Sequence, residues 1–276
     1  MSLAVVVIAA GRADHLARTL SGLDRQARRP DEVIVVDMRP QQSIADVVPD
    51  SARWLPLAAS QDDDLPLAAA RNAGAAATDA DRIVFLDVDC VPARGLIARY
   101  DEVLADEPDA LACGPVRYLR RGWVEAIGTA DPPDDALTAA SDAHPVRPDL
   151  DPGKVVVAGD HELFWSLSFG VTRAVWAMIG GFDDGYRGYG AEDTDFAFRA
   201  RALGVRVAWF GGGVAYHQWH EPTRLDAARI PEIVANARRF HARWGAWPMS
   251  GWLHEMGRRG DVRFDPAAGV LEVAQP

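Results

Sequence analysis

Apolar residues in the first part of the chain form two continuous runs with a helical pattern between them. The runs lie in residues 3–12 (LAVVVIAAGR) and 31–38 (DEVIVVDM), and neither shows the polar alternation of a half-exposed strand. Between them, Leu16, Leu20 and Leu23 recur at the spacing of an amphipathic helix. This order of strand, helix and strand predicts the start of a parallel sheet with a right-handed crossover.

The same order repeats further along the chain. Residues 65–88 predict an alanine-rich helix that leads into a strand, residues 93–108 predict a helix, and residues 110–119 predict a strand. Helices that alternate with buried strands are typical of a doubly wound α/β fold. We therefore expect a mostly parallel central sheet flanked by helices.

The pattern changes in the middle of the chain. Residues 121–154 are rich in Asp and Pro and show no periodicity, which predicts a long surface loop or a partly mobile excursion. Regular spacing then predicts a strand in residues 162–173, a short helix in 174–182 and a longer helix in 191–204. It further predicts a strand or hairpin in 205–218 and a helical stretch in 223–245, with Pro231 near a break. The last residues are interpreted as a weak tail.

Composition limits the class of protein and of partner. The chain has 276 residues, of which 49% are apolar and 25% charged, as in a globular protein with a buried core. Its net charge of −11 argues against nucleic acid as a partner. Cys90 and Cys113 are too few for a disulfide framework, which favours a reducing compartment. The first apolar run lacks a basic leader and is too short to span a bilayer, so we expect a cytoplasmic protein without a transmembrane segment.

Two aspartates end the apolar run of residues 83–86. Only Val88 separates Asp87 from Asp89, so in a strand both side chains face the same side. A cation between them relieves their repulsion, and carboxylate oxygens suit Mg²⁺ or Mn²⁺. The carboxyl end of a parallel strand is also where open sheets bind ligands. The alternative is that both aspartates only form a turn or cap a helix.

A second acidic group opens the helix predicted from residue 191. Glu192, Asp193 and Asp195 fall in its first turn, just after Gly188 and Gly190. Stabilisation of the helix N-terminus explains one such carboxylate but does not require three. A carboxylate here is a candidate general base for an acceptor hydroxyl, and helix capping is the alternative.

Two histidines and one arginine complete the candidate site. His217 and His220 follow a glycine-rich strand, and imidazole nitrogens together with carboxylate oxygens suit Mn²⁺. The alternative is that both are ordinary structural histidines. Arg71 lies among small residues that allow a phosphate or a base to approach. The alternative is that its side chain lies along the solvent face of the helix.

In this order, the segments resemble the GT-A glycosyltransferases of the family 2 type. Residues 5–38 look like that family's first strand, helix and strand, and residues 67–92 are similar to its Arg-Asn-x-Gly helix followed by Asp-x-Asp. Residues 169–204 and the sequence AYHQ at 215–218 look more like the β-1,4-galactosyltransferase and chondroitin-polymerase branch. The resemblance implies a GT-A, Rossmann-like fold.

The same resemblance implies an activity and a domain organisation. The implied activity is the metal-dependent, inverting transfer of a hexose from a UDP-sugar to a hydroxyl group of a carbohydrate or another small molecule. The candidates for the hexose are galactose and an N-acetylhexosamine. The catalytic domain is expected over 1–220, with a nucleotide-binding half at 1–120 and an acceptor and catalytic half at 155–220. A C-terminal helical extension over 221–276 is expected to pack on the same domain.

The resemblance also implies roles for individual residues. Contacts to the donor nucleotide are expected from Ala9, Gly11, Arg12, Asp37, Arg71 and Asp87. Asp89 and His217 are the implied ligands of Mn²⁺ or Mg²⁺, with Asp87 on the ribose or metal side. Asp193 is the implied base, and Glu192 is expected to orient the acceptor or the donor sugar. Aromatic contacts to sugars are expected from Tyr189, Trp165 and Trp219.

Some positions depart from the family pattern. Cys90 lies where many family 2 members have a third Asp, although the galactosyltransferase branch has an apolar residue there. Residues 36–40 (VDMRP) replace the commoner Val-Asp-Asp-Gly-Ser, which weakens the prediction of base contacts. His220 replaces His217 as the metal ligand if the loop is shifted by one turn.

Two other functions remain open on the sequence. A sugar nucleotidyltransferase needs a glycine-rich basic loop after the first strand, where residues 9–15 (AAGRADH) offer one Gly and one Arg. A non-catalytic nucleotide-sugar-binding domain predicts that a base or a metal ligand is lost, whereas Asp89, Asp193 and His217 are all present.

Overall fold

The computed structural model describes residues 1–42, 44–58, 64–129, 131–221 and 226–274. Its strands are β1 Leu3–Ala9, β2 Glu32–Asp37, β3 Arg53–Pro56, β4 Arg82–Asp87, β5 Cys90–Pro92, β6 Ala110–Cys113, β7 Val116–Leu119, β8 Ser141–Ala143, β9 Val155–Ala158, β10 Ser168–Thr172, β11 Arg206–Phe210, β12 Ala215–His217, β13 Val262–Asp265 and β14 Val270–Val273. Its helices are α1 Ala13–Asp24, α2 Leu67–Ala76, α3 Leu96–Asp106, α4 Trp123–Ile127, α5 Asp134–Ala139, α6 Arg173–Ile179, α7 Glu192–Ala202, α8 Ile230–Trp244 and α9 Ser250–Arg259.

A mixed sheet of eight strands forms the centre of the fold. Its order is β3-β2-β1-β4-β10-β6-β11-β9, and β9 and β10 run opposite to the other strands. Parallel pairing aligns Ile8 with Asp87 and Ala9 with Asp37, so the carboxyl ends of β1, β2 and β4 meet at one edge. The prediction of an α/β fold with a large central sheet flanked by helices is confirmed. Among the described residues, no helix has both the length and the apolar character needed to cross a bilayer.

β1 is apolar throughout, as expected for a strand with helices on both faces of its sheet. Val5 and Val7 of β1 pack in the cluster that contains residues of α1 and α3. Val6 and Ile8 pack in a second cluster with residues of α2, α6 and α7. At Gly74 of α2, an added Cβ would lie 2.2 Å from Cγ1 of Val6, so only glycine allows α2 to lie this close to the sheet.

A second sheet carries the first of the two histidines. Its order is β5-β12-β7-β8. β12 runs antiparallel to β5, and this register pairs His217 with Cys90. Because Cys90 directly follows Asp89, the pairing brings His217 beside the Asp-x-Asp segment.

The single strand predicted over residues 110–119 is divided in two. Gly114 and Pro115 separate β6, in the first sheet, from β7, in the second. Pro115 has no backbone N–H for a strand ladder. An added Cβ at Gly114 would lie 2.7 Å from the ring of Phe210. The chain therefore changes sheets where only glycine fits and proline interrupts the pairing.

The prediction of a long loop over residues 121–154 is wrong. Its described part contains α4, α5 and β8, and Trp123 and Leu137 are buried in an apolar cluster with Tyr216. The two helices have five and six residues. Helices of fewer than two turns show no periodicity in a sequence window, which explains the error.

The weak tail predicted at the C-terminus is also wrong. The chain ends in α9 and a hairpin of β13 and β14, whose Leu253 and Leu271 share an apolar cluster with Ile233 of α8. Tyr189 packs against the same cluster, which supports the proposal that residues 221–276 pack on the preceding domain. Residues 223–225 of the predicted helical stretch lie outside the described residues, and Pro231 lies in the first turn of α8, where proline is tolerated.

A buried carboxylate joins α7 to α8. Asp195 is fully buried and accepts hydrogen bonds from Nε of Arg199, Nη1 of Arg243 and Nε1 of Trp244, each at 2.9 Å. The hydroxyl of Tyr186 donates a further bond at 3.3 Å. Of the three acids in the first turn of α7, this one is therefore a structural residue.

Replacement of Asp195 tests this role. Asp195→Ala leaves two arginines without their shared buried carboxylate, and we expect it to lower the free energy of unfolding by about 3–5 kcal/mol. Urea denaturation measures the change. Asp142→Ala is the control, because Asp142 lies on the surface and pairs there with Arg120. A loss for Asp195→Ala no larger than the control's would contradict the structural role.

Candidate functional site

The turn after β1 has an unusual backbone. Gly11 and Arg12 both have positive φ angles, 63° and 57°, a conformation that is unfavourable for a residue with a side chain. The turn directs Arg12 towards the Asp-x-Asp segment, where its Nη1 lies 2.6 Å from Oδ2 of Asp89. Ala9 ends β1 beside Asp37. The three residues predicted from the first strand therefore lie at the site edge of the sheet.

Asp37 is buried at the end of β2 with both carboxylate oxygens occupied. Oδ1 accepts the backbone N–H of Arg39 at 3.0 Å, and Oδ2 accepts Nε1–H of Trp54 at 3.2 Å. Trp54 belongs to β3, a four-residue strand that the sequence pattern did not reveal. Trp54 is 39% exposed beside Asp37, so its ring is available to stack on a base. A base contact by Asp37 itself stays a prediction.

Three potential metal ligands meet just beyond β4. Oδ1 of Asp89 lies 3.5 Å from Nε2 of His217, and Oδ2 lies 3.4 Å from Nε2 of His220. Ligand atoms of all three residues lie within 4.8 Å of one another. One carboxylate and two imidazoles form a mixed oxygen and nitrogen set that suits Mn²⁺. The sequence left the choice between the two histidines open, and the structure brings both to Asp89; Asp87 lies outside this described cluster.

The protonation states of this cluster suit a cation. Burial alone would raise the pKa of Asp89, but His217, a hydrogen bond from His220 and Arg12 outweigh it and hold that pKa well below its usual range. Burial lowers the pKa of His217, and the nearby Asp89 offsets this only in part. A neutral imidazole has a free nitrogen lone pair, so His217 is ready to act as a ligand at neutral pH.

Two residues that sequence reasoning missed hold the Asp-x-Asp turn in place. The hydroxyl of Thr19 donates to the carbonyl oxygen of Val88 at 2.8 Å. The backbone N–H of Gln218 donates to the carbonyl oxygen of Asp89 at 2.7 Å. Gln218 is fully buried, and its side-chain amide donates to the carbonyl oxygen of His15 at 3.0 Å. The only sequence signal for Gln218 was its position between the two histidines.

Arg71 connects the aspartates to α7. It is 3% exposed, its Nη2 lies 3.0 Å from Oδ1 of Asp87, and its Nη1 lies 3.3 Å from Oε1 of Glu192. The alternative of a solvent-facing arginine is therefore wrong. Burial raises the pKa of Asp87 to about 6, and burial together with Asp193 raises the pKa of Glu192 to about 7, in both cases against the opposing effect of Arg71. The site thus concentrates carboxyl groups around one guanidinium.

Asp193 follows Glu192 at the start of α7. The helix begins after Ala191, which has a φ of 70°, and no described side chain caps its N-terminus. Helix capping therefore does not account for these carboxylates. Oδ1 of Asp193 accepts the backbone N–H of Thr194 at 2.7 Å, and burial raises the pKa of Asp193. A raised pKa makes a carboxylate a stronger base.

The three aromatic residues predicted to contact sugars have partners within the protein. Tyr189 stacks on Trp252 with ring centroids 5.9 Å apart, Trp165 packs on His144 at 4.5 Å, and Trp219 faces the guanidinium of Arg121 at 5.0 Å. Tyr189 is close enough to Glu192 and Asp193 for their charges to raise the pKa of its hydroxyl, after the effect of burial. Sugar contacts by these rings stay a prediction.

Two family models match separate parts of the chain. Residues 4–130 match the model of glycosyl transferase family 2. Residues 160–221 match the model described as the N-terminal domain of galactosyltransferase. The first segment contains Arg71 and both aspartates of Asp-x-Asp, and the second contains Asp193 and His217. The two matched segments together therefore supply the residues that meet at the site.

Curated relatives include enzymes that transfer sugars. The chain is 27% identical over 264 residues to validoxylamine A glucosyltransferase from Streptomyces hygroscopicus subsp. limoneus, covering 86% of this chain and 56% of that protein. It is 22% identical to chondroitin synthase from Pasteurella multocida (strain Pm70) and 25% identical to hyaluronan synthase from Pasteurella multocida, in each case over 79% of this chain. The chain spans about half the length of the first relative and about a quarter of the two synthases.

Proposed function

We propose that the chain is a metal-dependent, inverting glycosyltransferase of family 2, whose model matches residues 4–130. The proposed reaction moves a hexose from a UDP-sugar to a hydroxyl group of a carbohydrate or another small molecule. The observation that carries the proposal is the contact of Arg71 with both Asp87, beside the metal-ligand cluster, and Glu192, beside Asp193. Arg71 thereby holds the side chains that would contact the leaving diphosphate close to those that would contact the acceptor, as a single displacement requires.

The diphosphate side of the proposed site is formed by Asp89, His217, His220 and Arg12. A divalent cation held by Asp89, His217 and His220 would neutralise the negative charge that develops on the leaving UDP. The donor set of one carboxylate and two imidazoles fits such an ion. Arg12, at 2.6 Å from Asp89, adds a fixed positive charge at the same place. Thr19 and Gln218 keep the carboxylate of Asp89 in position by holding the backbone on either side of its Cα.

The acceptor side is formed by Asp193 and Glu192. Asp193 takes the proton of the acceptor hydroxyl while the hydroxyl oxygen bonds to the anomeric carbon and the bond from that carbon to UDP breaks. The electron pair of the broken bond leaves with UDP, and attack from the opposite face inverts the configuration. Glu192, fixed by Arg71, orients the acceptor or the donor sugar. No covalent intermediate with the protein is needed.

The nature of the donor rests on similarity. A family model named for galactosyltransferase and a relative named as a glucosyltransferase both favour a hexose. We propose galactose or an N-acetylhexosamine as the sugar and uracil as the base. We propose that the base binds near Asp37, at the carboxyl end of β2, and near Trp54, whose indole N–H donates to Asp37.

A product assay tests this function against its alternatives. We expect the protein to release free UDP from a UDP-hexose in the presence of Mn²⁺, slowly with water as acceptor and faster with a sugar acceptor. EDTA, followed by restoration with excess Mn²⁺, is the control for the metal. Release of pyrophosphate instead of UDP would identify a nucleotidyltransferase. Tight binding of the UDP-sugar without any product would identify a binding domain.

A further inference from the structure

A buried arginine outside the site described above has no hydrogen-bond acceptor among the described residues. Arg147, between β8 and β9, is 7% exposed. Its Nε, Nη1 and Nη2 atoms are buried and have no hydrogen-bond partner, and the described residues place no carboxylate within ion-pair distance of it. Burial of a charge without a counter-ion is strongly unfavourable. A guanidinium in this state is therefore ready to pair with an anion from outside the chain.

The surroundings of Arg147 are aromatic. Its guanidinium carbon lies 5.3 Å from the ring centroid of Trp165 and 5.0 Å from that of Trp209. These cation–π contacts stabilise the charge at the ring faces. They leave the N–H groups at the edge of the guanidinium plane without acceptors, and those groups match the two oxygens of a carboxylate or phosphate.

A series of rings connects Arg147 to the metal-ligand cluster. The ring of His217 lies 5.1 Å from that of Tyr118, Tyr118 lies 5.7 Å from His144, and His144 lies 4.5 Å from Trp165. At its other end, Trp165 is followed by Ser166, whose backbone hydrogen-bonds Asp193. The series of rings therefore runs from a metal ligand to Trp165, which lies against Arg147 and next to the residue that contacts the proposed base.

We propose that Arg147 binds a carboxylate or phosphate group of the acceptor substrate, a proposal that rests on the function proposed above. An anionic acceptor gives the guanidinium its missing partner, whereas a neutral acceptor leaves it unpaired, so the residue selects for anionic acceptors. Because the nitrogens of Arg147 are shielded from solvent, binding of the anion requires side chains packed around the guanidinium to move.

Binding of matched acceptors tests the proposal. The protein is saturated with Mn²⁺ and UDP, so that the diphosphate site is filled, and titrated with methyl β-glucuronide and methyl β-glucoside while tryptophan fluorescence is recorded. A second pair is glycerol phosphate and glycerol. We expect the wild type to bind at least one anionic member about tenfold or more tightly than its neutral counterpart, within the range of charge-assisted hydrogen bonds. Equal binding of both members in both pairs would overturn the proposal.

Variants of Arg147 test whether this residue causes the preference for anionic acceptors. Arg147→Met keeps the volume and removes the charge, and we expect it to bind both members of a pair equally; Arg147→Lys is expected to keep part of the preference. Arg201→Met is the matched control, because Arg201 also lies over an aromatic ring, that of Phe198, but is exposed and forms a surface ion pair with Glu162. A preference that survives in Arg147→Met would overturn the proposal, and circular dichroism checks that each variant is folded.

A comparison of donors tests whether the anion that Arg147 binds belongs to the acceptor or to the donor sugar. UDP-glucuronate and UDP-glucose are titrated into the wild type and Arg147→Met. A preference for UDP-glucuronate that depends on Arg147, without any preference among acceptors, would move the anion to the donor and overturn the acceptor assignment. Failure of the wild type to bind UDP with Mn²⁺ would count against the proposed function, while titration of the glucuronide alone would still decide whether Arg147 binds an anion.

Discussion

Asp193→Asn is expected to lower the rate of sugar transfer by about 10²–10⁴-fold, the usual contribution of a positioned general base. Asparagine keeps the shape of the side chain and an oxygen for the N–H of Thr194, but it does not accept the proton of the acceptor hydroxyl. Binding of UDP and Mn²⁺ is expected to be unchanged, because the ligand cluster lies on the other side of Arg71. Steady-state kinetics with a saturating donor measure the loss in kcat.

The pH dependence and a control variant make this test specific. Burial raises the pKa of Asp193, and the base acts only when it is deprotonated, so wild-type transfer is expected to fall as the pH is lowered through that pKa. The residual activity of Asp193→Asn is expected to lack this fall. Asp142→Asn, a surface change of the same kind, is expected to behave as the wild type. Wild-type turnover in Asp193→Asn would remove Asp193 as the base.

Asp89→Asn is expected to lower metal-dependent transfer by at least about 10²-fold, because even changes around the ligands of a metal typically reduce affinity or activity by about 10–100-fold. Asp89 is the one carboxylate of the cluster, and its replacement leaves two imidazoles and Arg12 around the ion. Initial rates at a series of Mn²⁺ concentrations measure the effect. Part of the loss is expected to be recovered at high Mn²⁺ if the variant binds the ion weakly. Rates that are equal in the wild type and the variant, or that survive chelation, would contradict the role.

Much of the first half of the fold could be predicted because its elements are long and strongly periodic. β1, α1, β2, α2, β4 and α3 lie where the runs and the helical spacing place them. Elements of three to five residues, such as β3, α4 and β8, contain too few positions for a period to appear. The division of residues 110–119 between two sheets depends on the contact of Gly114 with Phe210, far away in the sequence.

The candidate site could be predicted in its residue types but not in its connections. The sequence drew attention to Asp89, His217 and Arg71, and the structure places them close to other candidate residues. It did not indicate that Arg12 reaches Asp89, because that contact depends on a left-handed backbone at a residue with a side chain. Nor could it separate Asp195, a structural acid, from the two acids next to Arg71, since all three share the first turn of one helix.

The central claim is that Asp89, His217 and His220 bind one divalent cation. Isothermal titration calorimetry of Mn²⁺ into the UDP-saturated protein tests it most directly, with the wild type compared with His217→Ala, His220→Ala and His254→Ala, whose histidine is exposed on α9. We predict a single site in the wild type that is weaker by about tenfold or more in each of the first two variants and unchanged in His254→Ala. Equal Mn²⁺ affinity in all four proteins would contradict the claim.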